Sequence, residues 1–246
     1  MIRALVLALA LSAGQAAAAC DEVVFDGASF TACRIDLSQT ETRLFLRDAE
    51  GAIYGSFGRV EAALPPGKRL GVAMNAGMFH EDRSPVGHYV ENGVEEMRVI
   101  TSDGPGNFGL LPNGVLCLME GRARIVESRA FAEAPPGCRD ATQSGPMLVI
   151  DGALHPRFIA GGTSRNIRNG VGVDDSGQVL HLVISDEPVN FHHFARFFRD
   201  HLELPQALYF DGRVSRLYAP ELGRADIGLP VGPIIGTVVD AAPADG

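Results

Sequence analysis

Turn punctuation constrains this 246-residue chain more than any other feature. Glu91-Asn92-Gly93, Pro112-Asn113-Gly114, Asp151-Gly152 and Asp174-Asp175-Ser176-Gly177 each fall between apolar runs of strand length. Asn-Gly and Asp-Gly loops take the left-handed backbone that a right-twisted hairpin needs, so they join antiparallel neighbours. A parallel βαβ chain needs crossovers of a dozen or more residues instead. Residues 30–37, 43–47, 69–74, 207–210 and 233–239 read as further strands. The clearest helix spans 191–202, where Phe191, Phe194, Ala195, Phe198 and Leu202 keep helical spacing behind Asn190 as N-cap. Neither a repeat nor a long linker interrupts the chain, which predicts one domain over 20–241 and a short polar tail at 242–246.

The N-terminus has the order of a secretory signal: Arg3, an apolar run over 4–11, then Ser12-Ala13-Gly14 and small residues to Ala19. The expectation is a signal peptide over 1–19 and export to the periplasm or medium. The apolar run is too short to span a bilayer, so no transmembrane segment is expected. A lipoprotein reading through Cys20 is the minor alternative, since Ala17 stands where such signals usually carry Leu. Export places Cys20, Cys33, Cys117 and Cys138 in an oxidising compartment. Of their three pairings, 20–33 with 117–138 closes the shortest loops and is favoured; zinc competes weakly, for want of any C-x-x-C or neighbouring His. A formal charge of −9 with no basic run argues against nucleic acid and anionic membranes as partners. Any anionic substrate must meet local positive charge.

Four segments place polar side chains beside small, Gly-rich backbone. Asn75-Ala76-Gly77 ends an apolar run. Gln143-Ser144-Gly145-Pro146 sets two hydrogen-bonding side chains before a bend, while Arg168-Asn169-Gly170 brings a guanidinium fork suited to phosphate or carboxylate. Asp211-Gly212 puts a carboxylate just beyond a strand, where a general base or cation ligand could stand. Each segment also has an ordinary reading as a satisfied turn or a surface ion pair.

Taken together, Asn75-Ala76-Gly77-Met78-Phe79, the run from Gly106 to Val115, Gln143-Ser144-Gly145-Pro146-Met147-Leu148, Arg168-Asn169-Gly170-Val171-Gly172-Val173 and Leu208-Tyr209-Phe210-Asp211-Gly212 resemble the phosphodiester glycosidase family in identity and order. The likeness is nearest to an exported bacterial branch. It implies an α+β fold of mixed, largely antiparallel sheets with a few packed helices, and a site fed by strand-end loops. It also implies a hydrolase cleaving the glycosidic C–O bond of a small sugar phosphodiester. The chain departs from the family where relatives carry Asp-Gly-Gly-Gly-Ser, since here the segment is Asp211-Gly212-Arg213-Val214-Ser215.

On this resemblance Arg168 is expected to bind the phosphate, with Arg165 or Arg213 as neighbours, and Asp211 to be the essential carboxylate. Asn75, Gly77, Gln143, Ser144, Gly145, Asn169 and Gly212 are expected to bind substrate. Glu95, Glu96, Asp186 and Glu187 are fallback carboxylates. No metal or cofactor is expected, although a structural calcium stays open. The rival readings are a non-catalytic envelope protein that binds phosphorylated glycans and a metal-dependent phosphodiesterase.

Overall fold

The computed structural model describes residues 18–241, so the expected leader up to residue 17 and the tail at 242–246 lie outside the described residues. In chain order the elements are β1 (Ala18–Phe25), β2 (Ala28–Asp36), β3 (Glu41–Phe45), α1 (Phe57–Ala63), β4 (Lys68–Asn75), β5 (Tyr89–Glu91), β6 (Val94–Met97), β7 (Gly114–Met119) and β8 (Arg122–Glu127). There follow α2 (Ser128–Glu133), β9 (Asp140–Ser144), β10 (Met147–Ile150), β11 (Ala153–Leu154), β12 (Asn169–Val173), β13 (Val179–Ser185), α3 (Phe191–Arg196), β14 (Gln206–Asp211), β15 (Leu217–Ala219), β16 (Arg224–Ala225) and β17 (Ile234–Asp240). A seven-stranded sheet runs β1-β2-β13-β12-β14-β10-β11, and two five-stranded sheets run β16-β15-β4-β17-β3 and β6-β5-β9-β7-β8. Among the described residues all the strand pairings are antiparallel, so the fold is α+β with strand predominating.

The turns account for much of this. Asn92-Gly93 (φ 51° and 77°) and Asp151-Gly152 (φ 48° and 78°) are left-handed at both positions and close β5–β6 and β10–β11. Asp26-Gly27 (φ 47° and 79°) does the same for β1–β2, a hairpin missing from the sequence reading. Pro112-Asn113-Gly114 is not a hairpin. The Leu111-Pro112 peptide is cis, Asn113 is buried, and Gly114 opens β7 with no strand immediately before it.

Helix α3 and the turn that continues it pack an apolar stripe on the seven-stranded sheet: Phe194, Phe197 and Phe198 are fully buried, and Phe30 of β2 stacks on Phe197 with ring centroids 4.3 Å apart. Asn190 caps it, Oδ1 accepting from the His193 N–H at 2.8 Å. The expected helix is less regular than its spacing implies, because residues Phe197–His201 widen into a π turn. Disulfides join Cys20 to Cys33 and Cys117 to Cys138. Ala18 and Ala19, on the leader side of the expected cleavage point, pair with Ile35 and Arg34 as the first residues of β1.

The central core draws on all three sheets, through Ile35 of β2, Met74 of β4 and Leu116 of β7 among others. At one end of it the last residues of β4, β9 and β14 meet the first of β12. The largest fully buried side chain of the described residues lies there, and it is Arg168.

Candidate functional site

Antiparallel pairing fixes the geometry of this junction. Asn169 opens β12 opposite Asp211, which ends β14, and the Asp211 N–H donates to Asn169 Oδ1 at 3.0 Å. From its other side the Asn169 amide donates to Asn75 O (2.8 Å) and Asn75 Oδ1 (3.0 Å), tying the seven-stranded sheet to β4. Asn75 Oδ1 also accepts from the Arg216 N–H at 2.8 Å. Asn75 Nδ2 is buried with no hydrogen-bond partner among the described residues.

Asp211 serves its own loop with one oxygen: Oδ1 accepts from the N–H groups of Gly212 (2.6 Å) and Arg213 (2.8 Å). Among the described residues its other oxygen has no hydrogen-bond partner and no ion pair joins it to an arginine. Ser215 Oγ lies 2.8 Å from Asp211 O and 3.0 Å from Ile167 O, closing the loop onto the segment that leads into β12.

Arg168 is 0% exposed. Its guanidinium donates to Val189 O (2.9 Å), Ser164 O (3.0 Å) and the Tyr209 hydroxyl (3.3 Å), and lies 3.7 Å over the Phe191 ring. Burial pulls its pKa below the ordinary arginine value, yet a guanidinium stays protonated. No carboxylate faces this charge among the described residues. Tyr209 is buried too, and burial raises its pKa well above the usual phenol range.

A cleft of ≈ 250 Å³ opens above this layer, lined by Met78, Phe79, Val86, Asn107, Asn166, Tyr209, Asp211, Gly212 and Arg213. Gly212 has a steric reason to be glycine, because a Cβ there would collide with the Tyr209 hydroxyl oxygen. The structure thus gathers Asn75, Arg168, Asn169, Asp211 and Gly212 at one junction, with Asp211 and Gly212 in the cleft wall.

The other expected residues support the site from behind. The Gln143 amide is fully engaged: Oε1 accepts from the His88 and Ile100 N–H groups (3.0 Å each), while Nε2 donates to Ile100 O (2.6 Å) and Ser128 Oγ (2.8 Å). Ser144 Oγ donates to Phe210 O at 3.0 Å and so links β9 to β14. Gly145 precedes a cis Pro146, and Gly77 packs so closely on Gln143 O that a Cβ would lie 2.5 Å from it. The fallback carboxylates lie outside the cleft wall; Glu96 pairs with Arg47 and Asp186 with Arg224. Sequence reasoning missed Tyr209, Asn107 and Asn166 as site residues. Tyr209 and Asn107 stand inside segments singled out from the sequence and Asn166 two residues before one, so the signal was their place in the motif, not their type. Among the described residues no group of three or more His, Cys, Asp or Glu side chains converges as a metal site would.

A family model described as phosphodiester glycosidase matches residues 68–227. The uncharacterized protein YigE of Escherichia coli (strain K12) is 34% identical over 181 residues, 73% of this chain and 70% of its own. The catalytic domain of zebrafish N-acetylglucosamine-1-phosphodiester alpha-N-acetylglucosaminidase, auto-inhibited by its pro-peptide, shares the fold with a TM-score of 0.60 at 13% identity, over 89% of this chain and 81% of that one. A putative exported protein of Burkholderia pseudomallei K96243 does so with a TM-score of 0.57 at 13% identity, over 85% and 74%.

Proposed function

The chain belongs to the phosphodiester glycosidase family, and from that premise we propose that it is a hydrolase cleaving the glycosidic C–O bond of a small sugar phosphodiester. One observation carries the reading: among the described residues the cleft wall presents a single carboxylate, Asp211, with an unpartnered oxygen, above a buried arginine that no carboxylate neutralises. An ordinary glycosidase needs a second carboxyl group as acid, because its leaving alkoxide is a strong base. A phosphate ester leaves as a weak base, so positive charge near it does the work that proton donation does elsewhere. Asp211 is then the carboxylate that acts at the sugar, and the Arg168 charge stabilises the departing phosphate from beneath the floor. The cleft volume lies just below the ~300–1,000 Å³ usual for small-molecule sites, which favours one sugar over a polysaccharide. With no Trp in the chain, recognition of that sugar falls to amides such as Asn107 and Asn166 and to Phe79.

Two disulfides among the described residues support an oxidising compartment, and with it export as a soluble protein. Hydrolysis of a sugar-phosphodiester panel in ¹⁸O-water tests the activity. Label in the released sugar supports glycosidic cleavage; label in the phosphate assigns the protein to phosphodiesterases. Tight binding across the panel without turnover makes it a glycan-phosphate binder.

A further inference from the structure

We propose that the Tyr209 hydroxyl contacts the substrate's phosphate directly, so that Arg168 acts on the anion through it. The proposal rests on the hydrolase reading above and names the residue that recognises the anion. A buried charge is stable only when paired and hydrogen-bonded, and Arg168 has hydrogen bonds but no counter-charge. An anion in the cleft would supply that charge, yet Arg168 itself is wholly enclosed and absent from the cleft wall.

Tyr209 stands between the two. Its oxygen accepts from Arg168 Nη1 at 3.3 Å. One lone pair thus faces a donor, and the hydroxyl hydrogen is given to no acceptor among the described residues. Tyr209 is as little exposed as Arg168, but unlike it lines the cleft, as does Gly212 beside its oxygen, so the hydroxyl end of the buried ring is the part nearest the floor. Gly212 keeps that place clear, since any Cβ there would strike the oxygen. The result is a neutral donor, polarised by a buried cation, aimed at the space where an anion would rest.

Tyr209 gives a hydrogen bond and keeps its proton. The second ionisation of a phosphate ester lies near ~6, far below a phenol at ~10, so the phosphate cannot deprotonate it. In the reaction the sugar C1–O bond breaks with its electron pair left on the phosphate oxygen, water supplies hydroxide to C1, and the remaining proton leaves to solvent. Charge grows on the phosphate as the bond breaks, which strengthens the Tyr209 hydrogen bond.

The test is Tyr209→Phe, which keeps the ring against Phe191 and removes the hydroxyl. A hydrogen bond to a charged group predicts a roughly 10- to 100-fold loss of kcat/KM on the sugar phosphodiester. The neutral aryl glycoside of the same sugar, which has no phosphate, should change less than about threefold, a selectivity that a merely structural role would not produce. Equal losses on both substrates overturn the proposal. Inorganic phosphate, titrated by calorimetry into wild type and Tyr209→Phe, separates this claim from the hydrolase reading. If no phosphodiester is turned over, weaker phosphate binding by the variant still upholds the Tyr209 contact, whereas equal binding, or none by wild type, overturns it. Should Tyr209→Phe fold poorly, Gly212→Ala drives the same oxygen from its place, and weaker binding of inorganic phosphate than by wild type is expected, equal binding overturning the proposal.

Discussion

Asp211 gives one oxygen to its own loop, and a single substitution can separate that role from the chemistry proposed for the other. Asn at this position retains an Oδ1 acceptor for the Gly212 and Arg213 N–H groups while removing the charge on the other atom. Asp211→Asn should therefore lower kcat by roughly 10²- to 10⁴-fold with little change in melting temperature. A variant that keeps wild-type kcat would place the essential carboxylate elsewhere. Gln143 makes the opposite case. Its residue type and its place beside Gly145 read from sequence as substrate binding, but its four partners belong to His88, Ile100 and Ser128, between 15 and 55 positions away. No local pattern records contacts of that range. Gln143→Ala strands two buried N–H donors, so unfolding should become easier by about 3 kcal/mol in a denaturant titration. If stability holds and only KM rises, Gln143 binds substrate after all.

At the level of elements, what the sequence made legible was local. Asn92-Gly93 and Asp151-Gly152 carry their turn type in two residues, and the Asn190 cap is announced by the apolar spacing behind it. The Pro112 turn was misread because cis geometry at Leu111-Pro112 leaves no trace in composition, and the site lies at a junction of four separately encoded strand ends. Asn190 also shows how an element end reaches the cleft. Besides capping α3, its Nδ2 donates to Ala160 O and Gly162 O, at 3.0 Å each, and so holds the loop that carries Asn166. Asn190→Ala should cost about 1–2 kcal/mol in stability and raise KM as that loop loosens, two effects readable by thermal melts and steady-state kinetics. Within β13, His181 faces Arg34 across the ladder, and burial first, then that arginine, pushes its pKa down to about 4. Its unfolded value is about 6.5, so between those limits the unfolded chain binds the extra proton. Stability from this group is present above pH ~6.5 and declines as pH falls towards the folded value, by up to about 3 kcal/mol. Urea midpoints measured across that range should show the slope in wild type and a flatter one in His181→Asn.

Over the whole molecule, a formal charge of −9 opposes an anionic substrate, while the groups that would receive it lie in or under one cleft. The two contributions differ in depth and therefore in their response to salt. Carboxylates spread over the surface act through solvent at long range, and raising ionic strength from about 0.01 M to about 0.15 M shortens their reach from ~30 Å to ~8 Å. The Arg168 charge is enclosed by protein and, on the contact proposed above, acts over a few ångströms through the Tyr209 hydroxyl, well inside the screening length. Salt should consequently weaken the repulsion more than the attraction, and kcat/KM for a sugar phosphodiester should stay level or rise a few-fold across that interval. An enzyme that steers substrate with a basic surface shows the reverse, a steep fall. Arg213 supplies the internal control, since it is exposed at the cleft rim and has no ion-pair partner among the described residues. Arg213→Ala should remove a screened attraction near the entrance, lowering kcat/KM at low salt and steepening its rise with added salt. A many-fold fall with salt in wild type would mean that exposed arginines, and not the buried one, draw the phosphate in.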